Sequence, residues 1–285
     1  MPIWVMSPLR KVTRMVAYKV LPRYLKKRHR SKLNNSSDVI VSFTSFPARI
    51  NNVWQIVECM LNQTLQPKEI ILWLSKEQFP TTDSVPTSLR DRESEIFKIR
   101  MVEGDIRSHK KYYYVVKEHP DALVFLIDDD IYYPTDIIER SVREYERFDN
   151  VVVCNYGYRI EYNDDCSHKP YSQWERVYHK AVSSDLFFGS GGGTLFHPSK
   201  LCPEITNIEK ALELTPTADD IWLNAMAKLS GLMLCLLPNG TILEIPNKGN
   251  VTLHSINNGE AMNDEQLIAM ENYYGRIFDK IKLFH

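Results

Sequence analysis

The chain has 285 residues, 44% of them hydrophobic and 25% charged, with a formal net charge of -1. That is the length of one large domain or two small ones, with apolar content for a substantial core. The near-neutral total hides an asymmetry. Residues 1–33 carry ten of the 35 Lys and Arg and none of the 36 Asp and Glu, so the body of the chain is strongly acidic. An acidic body without a nucleic-acid-binding motif argues against nucleic acid as a partner. Five cysteines (Cys59, Cys154, Cys166, Cys202 and Cys235) form an odd set with no CxxC, which disfavours a disulfide framework or a zinc–thiolate site and suits a reducing compartment. No run of 18 apolar residues suggests a membrane span, and no sustained signal-peptide core follows the start. A cytoplasmic location is the expectation.

The first element is a basic segment over residues 1–33. Leu9, Val12, Val16 and Val20 recur at helical spacing between Arg10, Lys11, Arg14 and Lys19, and Pro22 is expected to break or kink the helix. Such a segment suits an anionic membrane surface, on the cytoplasmic face of a membrane, or a helix packed on the body with a solvated basic face. Residues 31–37 read as a linker.

From Val39 the pattern changes to strands alternating with helices. Val39–Thr44 reads as a strand, followed by the turn Ser45-Phe46-Pro47 and a helix through Ile50, Trp54, Val57 and Leu61. Glu69–Leu74 and Ile96–Val102 are further strands, with Pro80 and Pro86 marking the loop between them. Helix 109–118, strand Leu123–Ile127, helix Asp136–Phe148 and strand Asn150–Cys154 complete this half. Repeated alternation predicts a mostly parallel sheet with helices on both faces. Residues 156–185, rich in Tyr, His, Asp and Asn, read as a long loop or a small antiparallel element. Ser190-Gly191-Gly192-Gly193 leads into Thr194-Leu195-Phe196. A helix over Asp219–Leu229, short strands near 232–237, 241–245 and 251–254, and a helix over 262–273 end the chain.

The most informative run is Val124-Phe125-Leu126-Ile127-Asp128-Asp129-Asp130. Four apolar residues end in three carboxylates where a buried strand leaves the core. Adjacent like charges repel and are rarely buried unpaired, so a shared cation is expected there. Mg²⁺ or Mn²⁺ takes carboxylate oxygens and keeps open positions for phosphates. On extended backbone Asp128 and Asp130 face one way and Asp129 the other; the alternative is a solvated acidic turn. Asp219-Asp220 at a helix start offers either a cap or a general base. His254 is a candidate metal ligand or a structural histidine. Gly191 and Gly192 allow a ligand close to the backbone, or mark a tight turn. Arg49, Lys110 and Lys111 are candidates to neutralise phosphate, and Asp105 to accept a bond from a base or to cap a helix. No Gly-Lys-Ser/Thr loop, GxGxxG or GxSxG is present, so Ser42 and Ser45 lack the setting of a nucleophile.

Taken together, the Thr44-Ser45-Phe46-Pro47-Ala48-Arg49 segment, the stretch Leu61–Pro67 before Ile70–Leu74, the strand entering Asp128-Asp129-Asp130, the glycine run and Asp219-Asp220 resemble a GT-A glycosyltransferase of the family 2-like bacterial capsular or surface-polysaccharide type, over roughly residues 38–256. The resemblance implies one GT-A catalytic domain over 38–285, with a nucleotide-sugar half (38–155), an acceptor half (156–256) and a C-terminal helical segment (257–285). It implies that Thr44 and Arg49 hold a nucleoside-diphosphate sugar, a UDP-sugar by preference, with Asp105 at the base and Asp128 at the ribose or donor sugar. Asp130 would bind the metal, completed by His254. Gly191–Gly193 would shape the donor–acceptor boundary. Asp220, or Asp219, would act as base toward a saccharide or lipid-linked glycan, with inversion. A sugar-phosphate nucleotidyltransferase and a non-catalytic sugar-binding scaffold are the competing expectations.

Overall fold

The computed structural model describes residues 8–27, 36–237, 243–245 and 260–280. The expected strand at 251–254, His254 and most of the expected linker lie outside the described residues. The first half contains α1 (Pro8–Lys27), β1 (Ile40–Thr44), α2 (Trp54–Leu61), β2 (Glu69–Ser75), α3 (Thr87–Arg90), β3 (Phe97–Val102), α4 (Lys110–Glu118), β4 (Val124–Ile127), β5 (Ile131–Tyr132), α5 (Ile137–Tyr145) and β6 (Val151–Cys154). The second contains β7 (Gly157–Arg159), β8 (Glu175–Arg176), β9 (Ala181–Ser183), β10 (Leu186–Phe188), β11 (Gly192–Phe196), α6 (Ile208–Leu214), α7 (Asp219–Leu229), β12 (Met233–Leu236), β13 (Leu243–Glu244) and α8 (Glu260–Tyr274).

Eight strands form one sheet in the order β3-β2-β1-β4-β11-β6-β12-β9. β3, β2, β1 and β4 are mutually parallel, as are β6 and β12, while β11 runs antiparallel between β4 and β6 and β9 closes the edge antiparallel to β12. The fold is thus mixed α/β around a mostly parallel sheet, as expected from the alternation of strand and helix patterns.

The strands are apolar on both faces because both faces are covered. Val41 and Phe43 of β1, Leu72 and Leu74 of β2, and Phe125 and Ile127 of β4 pack into one layer with α2 and α5. Ile40, Ile71, Trp73, Val124 and Leu126, the alternate residues, pack into the other with α4, α7 and α8. Successive side chains on a strand point to opposite faces, so one run of β-formers feeds two cores.

Residues 156–185 take the antiparallel alternative. β7 pairs with β8 and β10 in a separate three-stranded sheet. Pro22 does not end the N-terminal helix, since α1 continues to Lys27. Leu25 beyond the proline is buried and Leu21 is half-buried, so packing against the body holds the last turn despite the lost backbone bond. Val16 and Val20 of the expected apolar face are exposed. Among the described residues, no helix is long and apolar enough to cross a membrane.

Candidate functional site

The carboxyl ends of the parallel strands share one edge, where open α/β sheets place their ligands. β4 delivers Asp128–Asp130 there, the turn after β1 delivers Ser45 and Arg49, and the first turn of α4 delivers Lys111. β11 runs the other way, so its beginning, Gly192, lies at this same edge. The first turn of α7 adds Asp219 and Asp220.

The three acids of the β4 exit divide by burial, although Asp129 and Asp130 lie in a turn and not on the expected extended backbone. The Asp129 side chain is 6% exposed, against 39% for Asp128 and 22% for Asp130. Asp129 therefore faces inward. Its Oδ1 accepts from Arg49 Nη1 at 2.9 Å and its Oδ2 from the Ser45 hydroxyl at 2.5 Å. The same Arg49 Nη1 stands 2.8 Å from Asp130 Oδ2. Arg49 and Asp129, two of several residues expected on the nucleotide side, thus bind each other. Asp129 is an anchor for the turn, and Ser45 serves that anchor rather than acting as a nucleophile. Ser42 is likewise occupied: it is buried, donates to the Lys111 carbonyl and accepts from Trp73 Nε1 at 2.9 Å.

Lys111 is the centre of the second group. Its buried ammonium donates to Asp128 Oδ1 at 2.9 Å and to the Ser190 hydroxyl at 2.9 Å, and lies 3.1 Å from Asp219 Oδ2. Three partners match the three protons of an ammonium. Ser190 in turn donates its hydroxyl to Asp219 Oδ2 and its backbone N–H to Asp220 Oδ1, each at 2.7 Å. Neither acid caps α7: the N-cap is Ala218, without a side-chain cap bond, and both carboxylates turn into the site.

Glycine is required where this group closes. A Cβ on Gly191 would lie 1.8 to 2.0 Å from the carboxyl atoms of Asp128, and one on Gly192 2.3 Å from Cβ of Tyr156. The glycine run is a buried entry into β11, with the left-handed Gly193 (φ 97°) turning the chain. Its freedom is spent on close backbone approach to Asp128.

Electrostatics separates the two α7 acids. Burial pushes Asp219 up, but Lys111, His109 and the Ser190 hydroxyl outweigh it and hold the carboxyl below the ordinary range. Asp220, half-buried, is pushed up to about 6 by burial and by the charge of Asp219, against the pull of Lys111. Its Oδ1 is held by Ser190, leaving Oδ2 for another donor. Asp130 is pushed up to about 7 by burial, Asp128 and Asp129. Burial opposes the charge on Lys111, yet Asp128, Asp219 and Asp220 raise its pKa further.

Five carboxylates thus face two cations, Arg49 and Lys111. An all-oxygen, negatively charged, partly open donor set is the chemistry of a hard divalent ion, and Asp128 and Asp130 are the two arms that fit it. Among the described residues no three His, Cys, Asp or Glu side chains form a metal-holding group. Asp128 and Asp130 are the two more open acids of the β4 exit. Ile245 N–H donates to the Asp130 carbonyl at 2.6 Å, so the end of β13 flanks Asp130, and His254 is outside the described residues.

The remaining expected residues stand apart from this cluster. Asp105 binds Lys110, the Arg107 N–H at 2.9 Å and Gln78 Nε2 at 2.6 Å. The Thr44 hydroxyl donates to the Trp73 carbonyl at 2.9 Å. Tyr114, which sequence reasoning missed, stacks on Trp73 with centroids 5.3 Å apart. Also missed was His109, whose Nε2 lies 2.7 Å from the Thr215 carbonyl and Nδ1 3.0 Å from the Tyr112 hydroxyl. Burial lowers its pKa, and the Nε2 side facing the Thr215 carbonyl supports the loop before α7. No spacing motif marks either residue.

Two stability measurements follow. Lys111→Met leaves Asp128 and Asp219 without their cation and is expected to cost about 3–5 kcal/mol in chemical denaturation. Asp220 has an unfolded pKa of about 3.9 and a folded one of about 6. The folded state holds that proton more tightly, so its contribution is present below pH ~4 and is lost as pH rises through about 6. Asp220→Asn is therefore expected to match wild type near pH 4 and to exceed it by on the order of 1–2 kcal/mol at pH 8, with urea midpoints as the readout.

No protein-family model matches the chain, and no curated protein does. Among solved structures, the mannosyltransferase PcManGT from Pyrobaculum calidifontis, in complex with GDP-Man and Mn²⁺, aligns with a TM-score of 0.47 and 14% identity over 92% of this chain and 71% of that chain. HddC from Yersinia pseudotuberculosis aligns with a TM-score of 0.37 and 10% identity over 61% of this chain and 79% of that chain. Neither likeness is close enough to bear on function.

Proposed function

We propose that the chain is a metal-dependent glycosyltransferase. It moves a sugar from a nucleoside-diphosphate sugar, a UDP-sugar by preference, to a hydroxyl of a saccharide or lipid-linked glycan, with inversion. The reading rests above all on the Lys111–Ser190 bridge. It ties Asp128, beside Asp130, to the raised carboxylate of Asp220 within one site.

A divalent ion held by Asp128 and Asp130 would stabilise charge on the leaving nucleoside diphosphate. The protein's own residues have separate tasks. Asp129, Arg49 and Ser45 lock the turn that presents Asp128 and Asp130. Lys111 orients Asp128 and keeps Asp219 ionised. Asp219 is then a tuning residue: its fixed charge raises the basicity of Asp220. Ser190 N–H fixes one oxygen of Asp220 and leaves the other to take the proton of the acceptor hydroxyl. A base with pKa near 6 is ionised at neutral pH yet basic enough to assist a poor nucleophile. Thr44, Lys111, Asp105, Gly191 and Gly192 line the nucleotide side in this proposal.

The test is nucleotide release with Mn²⁺ or Mg²⁺ across UDP-, GDP-, CMP- and dTDP-sugars. Release from one donor is expected, lost with chelator and in Asp130→Asn. With an acceptor, Asp220→Asn is expected to lower transfer by about 10²–10⁴-fold while donor binding persists. Wild-type kcat/KM is expected to rise with pH through about 6, a limb absent from that variant. Nucleoside triphosphate formed from donor and pyrophosphate would assign nucleotidyl transfer instead. Metal-dependent donor binding without turnover on any acceptor would assign a scaffold.

The proposed setting is an anionic membrane surface on the cytoplasmic side. In α1, Val16, Val20 and Tyr24 recur every four residues and are more than half exposed, while Leu25 faces the body. Lys19, Arg23 and Lys26 are exposed beside them. An apolar row flanked by a basic row suits insertion at charged headgroups. Lys19→Glu with Arg23→Glu is expected to weaken sedimentation with vesicles containing phosphatidylserine by at least about tenfold. Equal binding to neutral phosphatidylcholine vesicles would sink the assignment.

A further inference from the structure

Arg176 on β8 stands between two tyrosine rings rather than against an acid. Arg49, Arg92, Arg143 and Arg147 each pair with a carboxylate. The guanidinium of Arg176 has no such partner among the described residues. Its central carbon instead lies 4.5 Å from the ring centroid of Tyr156 and 5.0 Å from that of Tyr178. Contact with two rings restrains the guanidinium while its N–H donors stay unspent.

Its location connects it to the proposed base. The Tyr156 side chain packs on the glycine run, where a Cβ on Gly189 would come within 2.6 Å of its ring. Gly189 precedes Ser190, whose N–H holds Asp220. The Tyr156 hydroxyl bonds that of Tyr158 at 2.5 Å, and Tyr158 feels the charges of both Arg176 and Asp220. Starting from Asp220, the path runs through the glycine run and one tyrosine to a cation without a carboxylate partner among the described residues. This is the side away from Arg49, on the three-stranded sheet.

A free guanidinium fork takes two oxygens of a carboxylate or phosphate in parallel bonds. The half-buried Tyr156 ring and the exposed Tyr178 ring beside it offer flat apolar area to a sugar ring. We propose that Arg176 is a specificity-determining residue that selects a saccharide acceptor carrying an anionic group, phosphate or carboxylate, close to the reacting hydroxyl. The inference rests on Asp220 as the base of transfer, and it narrows the acceptor to acidic or phosphorylated glycans.

The test is a binding titration of the full chain by ligand-observed NMR, with and without UDP or GDP plus Mn²⁺ to occupy the nucleotide side. The probes are glucose 1-phosphate, methyl glucuronide and neutral methyl glucoside. At least one anionic saccharide is expected to bind tenfold or more tightly than methyl glucoside, with the nucleotide side occupied. Arg176→Gln is expected to abolish that preference, with methyl glucoside affinity within twofold of wild type, and Arg176→Lys to restore part of it. Preference for the phosphate alone points to a phosphate-linked or lipid-diphosphate saccharide, and preference for the uronate alone to an acidic sugar. No preference in wild type, or one untouched in Arg176→Gln, overturns the proposal. Binding of the nucleotides themselves is read in the same titrations. Their failure with an intact Arg176-dependent preference would remove the transferase reading alone, and the reverse pattern would remove this inference alone.

Discussion

The site depends on one buried ammonium. Lys111 arrives on the first turn of α4, and its three protons meet Asp128, Ser190 and Asp219, which belong to three separate segments. Burying that many carboxylates is tolerable only with a cation among them, because uncompensated charge in a low-dielectric site costs several kcal/mol. Lys111 supplies the compensation, and its short reach sets the spacing between the acids of the β4 exit and those of α7. The backbone details are subordinate to it. Gly191 is glycine because Asp128 must lie against its Cα to meet Lys111, and Ser42 pins the Lys111 carbonyl so that the helix start cannot drift from the sheet.

Arg49 has the parallel task one strand away, and its geometry explains why three adjacent aspartates are stable in one short turn. Asp129 is turned under the sheet edge and neutralised there, so that only its neighbours compete for the open side. The result is an asymmetric array of charges. Asp129 is buried against Arg49, Asp128 and Asp130 are partly open, Lys111 holds Asp219 below the ordinary carboxylate range, and Asp130 and Asp220 are left with their proton affinity raised. Similar side chains acquire different chemistry from position alone.

Much of this was legible in the sequence, and what was not has a physical reason. The sheet could be read because its strands are short apolar runs between helical periods. Asp128–Asp130 and Asp219-Asp220 stood out because acids directly after or before apolar runs have few structural explanations. The division of labour among them was hidden, since it depends on which acid the sheet edge covers and on a lysine and a serine that carry no motif. Lys111 was read as a candidate for phosphate and not as the bridge between two groups of acids, and Ser190 as the lead-in to a loop. His109 and Tyr133 were silent for the same reason: their partners, the Thr215 and Gly191 carbonyls, are distant in sequence. Arg49 was expected at a phosphate and meets Asp129 and Asp130 in the structure, because a phosphate and a buried carboxylate make the same demand on a guanidinium.

The antiparallel course of β11 has a consequence for how such a protein can diversify. The chain leaves the sheet edge at Asn155 and returns to it at Gly193, and Asn155 bonds the Gly193 carbonyl through both its backbone N–H and its side chain. Exit and re-entry are therefore stapled together beneath everything between them, including the three-stranded sheet and Arg176. Of the main sheet, that stretch supplies only the outermost strand, β9. It behaves as a cassette: its rings and charges are free to be exchanged over generations for others suited to a different partner, while the staple keeps the inherited acids of β4 and α7 in register.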